Sequence, residues 1–219
     1  MSLPRTLLSL AVLMAWVVML LYGFNRYPLS DSVFPPLLIH TSALLLMALL
    51  IRMQGFNLQN TWQFKPCRWV WLMTAVIFGI FYWVLDALLM AAMTTPQVQT
   101  AKQLAWQASV AEYSQISVAF STVLMAPVFE ELLFRGWLLQ SMLSARPTSF
   151  SWQVVSITVI SALFALIHWS WPDGSSVFIA GWFYGYLTLK SNSVLPALCA
   201  HITHNAMTYA SIYFLAEFK

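Results

Sequence analysis

Long apolar stretches alternate with short polar segments along the whole of this chain. An α-helix needs about 20 predominantly apolar residues to cross the hydrocarbon core of a bilayer, and most of the apolar stretches have about that length. We therefore predict an all-α fold, a polytopic bundle of about seven transmembrane helices with a range of six to eight. The predicted spans cover approximately residues 6–24, 33–51, 69–93, 116–143, 152–169, 176–189 and 194–216.

The polar segment at about residues 94–115, between the third and fourth predicted spans, has a helical pattern of its own. The apolar residues that recur at helical spacing in it are Val98, Ala101, Leu104, Ala105 and Ala108. We expect this segment to form an amphipathic helix that lies in the membrane interface. A helix in this position could instead act as a lid or substrate guide beside a functional site.

The composition excludes the soluble classes of protein. Hydrophobic residues make up 60% of the chain, charged residues only 8%, and the mean hydropathy is +0.74. Seven spans use roughly 140 residues, so the 219 residues of the chain leave room for connecting loops but not for a separate soluble domain. We expect residues 1–219 to form a single integral-membrane domain.

Lysine and arginine residues are concentrated at the ends of the predicted spans, and the positive-inside rule relates their distribution to orientation. Counted on alternate loops, they fall mostly on one side: Arg5, Arg52, Lys65, Arg68, Arg146 and Lys190, against Arg26, Lys102 and Lys219 on the other. We therefore expect the N-terminus to be cytoplasmic. The partner that this basic balance indicates is the lipid bilayer and not nucleic acid. The pattern defines no oligomeric state.

Three charged residues interrupt the apolar run of the fourth predicted span: Glu130, Glu131 and Arg135. Each ionisable group at membrane depth costs roughly 2.5–3.5 kcal/mol on insertion scales, which makes such groups rare and usually functional. Glu131 and Arg135 are four residues apart with the acid first, the favourable order for an intrahelical ion pair. We expect these two residues to pair, and Glu130 to remain as the reactive carboxylate.

More polar residues lie inside the later spans, where Phe164 precedes His168 by four residues and His201 precedes Asn205 by four, with His204 between the last two. At about 1.5 Å of rise per residue, Glu130 and His168 lie about 20 Å and 24 Å from the turn that joins their spans. His201 and Asn205 lie about 10 Å and 16 Å along the last span, and a helix tilt could bring them level. We therefore expect these side chains to meet in one buried pocket, with His204 beside it.

A carboxylate beside imidazole groups in a site of low dielectric constant is an arrangement that activates water as a nucleophile. A histidine and an asparagine can donate hydrogen bonds to an oxyanion that forms at a carbonyl carbon. The polar motifs contain no serine or cysteine that would serve as a nucleophile. The residues therefore favour hydrolysis by activated water.

The three motifs Glu130-Glu131-x-x-x-Arg135, Phe164-x-x-x-His168 and His201-x-x-x-Asn205 resemble the signature motifs of the CAAX protease and bacteriocin-processing enzymes. This is the CPBP or Abi family of intramembrane endopeptidases. The resemblance covers about residues 115–210. It implies a catalytic helical core at residues 114–216 and a variable N-terminal part at residues 1–113.

The resemblance implies that Glu130 and His168 activate water, while His201 and Asn205 form the oxyanion hole. Glu131, Arg135, Phe164 and His204 would support them. The substrate would be a membrane-associated protein or peptide. Because the loops are short, as in many bacterial proteins, we expect the protein in a bacterial inner membrane. With a cytoplasmic N-terminus, His168 lies near the outer end of its span, so we expect the pocket to open outward.

Two alternatives stay open. The first is a zinc-dependent enzyme with Glu130, His168 and His201 as three ligands, a number that suits an open catalytic zinc site. We expect no cofactor, because the chain has no His-Glu-x-x-His motif and an asparagine amide suits oxyanion binding better than ligation. The second is a non-proteolytic immunity or scaffold protein that retains the same polar cluster.

Overall fold

The computed structural model describes residues 3–26, 35–111, 113–146, 149–168 and 173–213. The described residues form helices joined by turns and contain no strand. The helices are α1 (Leu3–Arg26), α2 (Pro35–Met53), α3 (Leu58–Thr61), α4 (Trp69–Met93), α5 (Pro96–Val110), α6 (Gln115–Ser144), α7 (Phe150–Ile167), α8 (Asp173–Ser191) and α9 (Leu195–Tyr213).

The all-α fold predicted from the sequence is confirmed, and each of the seven predicted spans coincides with a helix of at least 18 described residues. Within the described ranges, four helices are long and apolar enough to cross a membrane, namely α2, α4, α6 and α7. The protein is therefore an integral membrane protein, whereas the count of seven spans stays a prediction. The predicted start of the second span, the last residue of the fifth and the end of the seventh lie outside the described residues.

The ends of the helices follow from local sequence. Thr95 and Ser149 precede α5 and α7, and their side-chain oxygens accept hydrogen bonds from the main-chain N–H groups of Val98 and Trp152. Such N-caps satisfy donors that a helix leaves unpaired at its first turn. The sequence analysis missed α3, because a helix of only four residues leaves no periodic pattern to detect.

Helix α6 has two π-helical segments, Phe120–Met125 and Leu132–Leu138, in which main-chain hydrogen bonds join residues five apart. The N–H of Ala126 accordingly donates to the carbonyl of Ser121. The carbonyl of Thr122 would take its hydrogen from residue 127 in this register, but residue 127 is a proline and has no N–H. The Thr122 carbonyl is therefore left without a main-chain donor in the middle of the helix.

The helices approach each other closely at glycines. A Cβ atom on Gly79 of α4 would lie 2.6 Å from the carbonyl oxygen of Ala200 in α9, and one on Gly185 of α8 would lie 3.0 Å from Ile157 in α7. Glycine permits both contacts because it has no side chain. Gly181 lies four residues before Gly185 in α8, and a Cβ atom on it would lie 3.2 Å from Phe164 in α7.

The face of α5 that carries its apolar residues points away from the rest of the protein. Val98 and Leu104 are 44% and 59% exposed. On the opposite face, Gln103 and Gln107 each donate a hydrogen bond to the carbonyl of Ile212 at the end of α9, at 3.4 Å. A helix that lies in the membrane interface would have this orientation, with its apolar face towards lipid.

Candidate active site

The ion pair expected within α6 is present. Nη1 of Arg135 donates to Oε1 of Glu131 at 2.9 Å, and both side chains are fully buried. Arg135 also donates from Nη2 to the main-chain carbonyl of Gly181 in α8 at 3.0 Å. Its guanidinium group lies 4.5 Å from the centre of the Phe164 ring, within the range of a cation–π contact. Arg135 therefore joins α6 to both α7 and α8.

Glu131 has a second partner that the sequence analysis missed. Nδ1 of His201 in α9 lies 2.9 Å from the same Oε1 atom. The His201 ring is also stacked on Tyr184, with 5.1 Å between ring centres. Because a carboxylate only accepts hydrogen bonds, Nδ1 carries the hydrogen, and Nε2 is the nitrogen that remains for the site.

Glu130, on the neighbouring position of α6, lies between two histidines. Its Oε1 is 3.7 Å from Nε2 of His168, and its Oε2 is 3.7 Å from Nε2 of His201. The carboxylate side chain is only 13% exposed. The structure thus brings together three of the four residues that the sequence analysis expected to meet, at distances slightly longer than a direct hydrogen bond.

His168 is held by the end of its own helix. It is the C-cap of α7, and its Nδ1 lies 2.9 Å from the carbonyl oxygen of Phe164. A carbonyl only accepts, so Nδ1 donates and the lone pair of Nε2 faces Glu130. The Phe164 ring is buried against the His168 ring, with 4.7 Å between ring centres. The Phe164-x-x-x-His168 spacing therefore fixes both the tautomer and the direction of this histidine.

Asn205 is held at both ends of its amide group. Its Nδ2 donates to the unpaired carbonyl of Thr122 at 2.9 Å. Its Oδ1 lies 3.3 Å from Nδ1 of His204. One hydrogen of Nδ2 remains for another acceptor. His204 thus lies beside Asn205, and its supporting role stays a prediction.

A cavity of about 230 Å³ joins these groups. It is lined by Tyr82, Glu130, Phe164, His168, Val177, Ala180, Tyr184, His201, His204 and Asn205. A second, mainly apolar cavity of about 300 Å³ shares His204 and Asn205 with the first and reaches Trp106 of α5. The polar groups therefore face a space that could hold water and a substrate carbonyl, next to a space for an apolar group.

Residues 112–207 match the family model described as Type II CAAX prenyl endopeptidase Rce1-like. This segment is similar to the Rce1-like family, and we refer to it as the Rce1-like segment. It spans a little under half of the chain and contains all three motifs, so the resemblance found in the sequence is confirmed for this segment. The description of this family is that of an endopeptidase. Comparisons with curated proteins and with solved structures give no further match.

One polar cluster beside the cavity includes residues from outside the Rce1-like segment. Asp86 of α4 accepts a hydrogen bond from Oγ of Ser176 in α8, and Oγ of Ser176 lies 2.6 Å from the hydroxyl of Tyr82. The sequence analysis missed Asp86. The sequence did contain a signal for this residue, because Asp86 is the one charged residue in the apolar stretch 69–93.

The zinc alternative requires Glu130, His168 and His201 to surround one point at about 2.0–2.2 Å. Among the described residues, no group of three or more histidine, cysteine, aspartate or glutamate side chains is arranged to hold a metal ion. The arrangement of the described residues therefore does not support Glu130, His168 and His201 as a set of zinc ligands. Independence of metal stays a prediction.

Proposed function

We propose that the protein is an intramembrane endopeptidase that hydrolyses a peptide bond of a membrane-associated protein or peptide. The observation that carries the proposal is the approach of two imidazole Nε2 atoms to the two oxygens of one nearly buried carboxylate, Glu130. This arrangement lies in the Rce1-like segment, whose family model is that of an endopeptidase.

In the proposed reaction, a water molecule donates its hydrogens to Glu130 and to Nε2 of His168. Both are acceptors, because the His168 hydrogen is on Nδ1. Transfer of one proton from water to Glu130 leaves the oxygen nucleophilic, and this oxygen attacks the scissile carbonyl carbon. When the tetrahedral intermediate collapses, the C–N bond breaks and Glu130 returns the proton to the leaving amine.

The oxyanion of the tetrahedral intermediate would accept hydrogen bonds from Asn205 and His201. Asn205 has a second Nδ2 hydrogen beyond the one that it donates to Thr122. His201 donates through Nε2 when that atom carries a hydrogen, and the bond from its Nδ1 to Glu131 stabilises the resulting imidazolium. Donors held before the reaction are effective because the site need not reorganise as charge develops.

The proposed location is the inner membrane of a bacterium, with a cytoplasmic N-terminus and a pocket that opens outward. The distribution of lysine and arginine supports this orientation. Fusion of a reporter enzyme to each terminus would test it. Activity of the N-terminal fusion on the periplasmic side would contradict the orientation.

The experiment compares cells that express the wild-type chain with cells that express Glu130→Gln. The new N-terminal and C-terminal peptides of membrane and exported proteins are identified in both by mass spectrometry. Termini that depend on the wild-type chain define a cleavage site, and a fluorogenic peptide with that sequence then serves as substrate for the purified protein. Full cleavage by purified Glu130→Gln would overturn the proposed role of Glu130. The absence of any new terminus in the wild-type cells would overturn the proposal and favour a non-proteolytic role.

Thr74→Val provides a matched control variant. Thr74 lies in α4, and its hydroxyl donates to the Val70 carbonyl of the same helix. The substitution removes one polar group from a span but leaves the cavity unchanged. Cleavage by this variant should equal that by the wild type.

A further inference from the structure

Asp86 is an acidic side chain at membrane depth that the proposed reaction does not use. It lies in α4, an apolar helix of 25 residues, and outside the segment that matches the family model. Ionisable groups in spans carry an insertion cost and are retained where they do something specific. Its contacts therefore indicate what it contributes.

One oxygen of Asp86 is fixed by a short chain of hydroxyl groups. Oδ1 accepts a hydrogen bond from the hydroxyl of Ser176, so this hydroxyl has no second hydrogen to donate to Tyr82. The hydroxyl of Tyr82 must then be the donor in its 2.6 Å contact with Ser176. Tyr82 and Ser176 are both only 2% exposed. The carboxylate is thus held in one orientation by two buried groups on two helices.

The other oxygen of Asp86 faces His204. Oδ2 lies 3.9 Å from Nε2 of His204, a buried atom that makes no hydrogen bond within the described residues. The His204 ring packs on the Tyr82 ring, with 4.6 Å between ring centres. When His204 is an imidazolium it carries hydrogens on both Nδ1 and Nε2, and the hydrogen on Nε2 then points towards the carboxylate of Asp86.

His204 in turn contacts Asn205. Because Nδ2 of Asn205 donates to Thr122, the amide oxygen is the atom that faces His204, and Nδ1 of His204 must carry the hydrogen in their 3.3 Å contact. A rotation that exchanged the oxygen and nitrogen of the Asn205 amide would therefore break its hydrogen bonds to both Thr122 and His204. Its remaining Nδ2 hydrogen is kept for the cavity, which both residues line.

We infer that Asp86 is a positioning residue for the hydrolysis, which acts through His204 to hold the amide of Asn205 in the orientation that binds the oxyanion. The inference rests on the proposed function. It gives the N-terminal half of the chain a part in the reaction, although the family match begins at residue 112.

The first test is the purified Asp86→Asn variant, which keeps the size of the side chain and removes its charge. With the fluorogenic peptide as substrate, kcat should fall about tenfold, less than the roughly 10²–10³-fold loss that follows removal of an oxyanion donor. KM should stay within about twofold of the wild-type value, because binding does not use the oxyanion contact. A wild-type kcat would overturn the inference.

A purely structural link between α4 and α8 would give a different result in a double-mutant cycle. If Asp86 acts through His204, Asp86→Asn should lower kcat by less than about twofold when His204→Gln is already present. An equal loss in both backgrounds would mean that Asp86 acts on the fold, and would overturn the inference.

Ser176→Ala covers the case in which Asp86→Asn does not fold, as judged by thermal unfolding in detergent. This variant releases one oxygen of Asp86 and leaves the charge in place. It should also lower kcat, with little change in KM. An unchanged kcat would contradict the inference.

Glu130→Gln separates the inference from the proposed function. If this variant cleaves the peptide, the proposed function fails. If it is inactive and Asp86→Asn is fully active, the inference alone fails.

Discussion

Asn205 of α9 donates a hydrogen bond of 2.9 Å to the main-chain carbonyl of Thr122 in α6. A main-chain carbonyl inside a helix normally accepts from its own helix and is not available to a neighbour. The Thr122 carbonyl is available because the π-helical register directs it to Pro127, which has no N–H. A proline within a transmembrane helix thus provides the acceptor that orients an amide of the active site.

The Pro127→Ala variant should be less active than the wild type but at least as stable. The new N–H of residue 127 can donate to the Thr122 carbonyl and compete with Asn205, so we expect kcat to fall about tenfold with KM within about twofold. The melting temperature should stay the same or rise, because a proline in a helix interior costs about 3 kcal/mol. Purified protein would be assayed with the peptide substrate and by thermal unfolding. An unchanged kcat would show that the orientation of Asn205 does not depend on this proline.

The two neighbouring glutamates should differ in their effect on stability. Glu130 makes only contacts of 3.7 Å, whereas Glu131 accepts two hydrogen bonds of 2.9 Å in a fully buried site. Glu130→Gln should have a melting temperature near that of the wild type, because it breaks no short hydrogen bond. It should be inactive, because it removes the proposed base. Glu131→Gln should lower the free energy of unfolding by about 3–5 kcal/mol, because Arg135 is left as an unpaired buried charge. Thermal unfolding of both variants in the same detergent would decide, and equal melting temperatures would contradict this division of roles.

Trp106 should affect substrate binding more than the chemical step. It lies on α5 and lines the cavity of about 300 Å³ that adjoins Asn205. Loss of apolar contact worth about 1.5 kcal/mol should raise KM about tenfold in Trp106→Ala, with kcat within about twofold. Leu104→Ala is the matched control, since Leu104 lies on the exposed face of the same helix. If both variants leave KM unchanged, α5 has no part in binding the substrate.

Activity should survive the removal of metal ions. The described histidine, cysteine and acidic side chains form no group of three that is arranged for a metal. Purified protein would be dialysed against a strong chelator and assayed with the same peptide, and we expect the rate to be retained. Loss of activity that added zinc restores would instead favour Glu130, His168 and His201 as ligands.

Much of the fold was predictable because the spans are set by length and hydropathy. The predicted third span and α4 have the same bounds, Trp69–Met93. The meeting of Glu130 with His168 was also predictable, because distances along two antiparallel helices from a shared turn can be compared at 1.5 Å per residue.

Other contacts could not be predicted, because they depend on how each helix is rotated about its axis. The bond from His201 to Glu131 requires the two residues to face each other across α9 and α6, and no spacing within one helix encodes that. The π-helical segments of α6 change the faces that its residues occupy, so a regular helical period does not give the orientation of Thr122. Asp86 carried a signal, but a single acid in a span gives no partner until the packing of α4 against α8 is known.

Glu131 lies where three helices meet: it accepts from His201 of α9 and from Arg135, which also donates to the Gly181 carbonyl of α8. A shift of α9 by one turn would move His201 about 5.4 Å along α6 and break its bond to Glu131. Glu131 is fully buried, so water has no access to replace that bond, and misregistered arrangements are disfavoured. Assembly of the last four helices, α6 to α9, and assembly of the active site are therefore a single event, and a chain that packs these helices in register already has Glu130 and its two histidines within reach of one another.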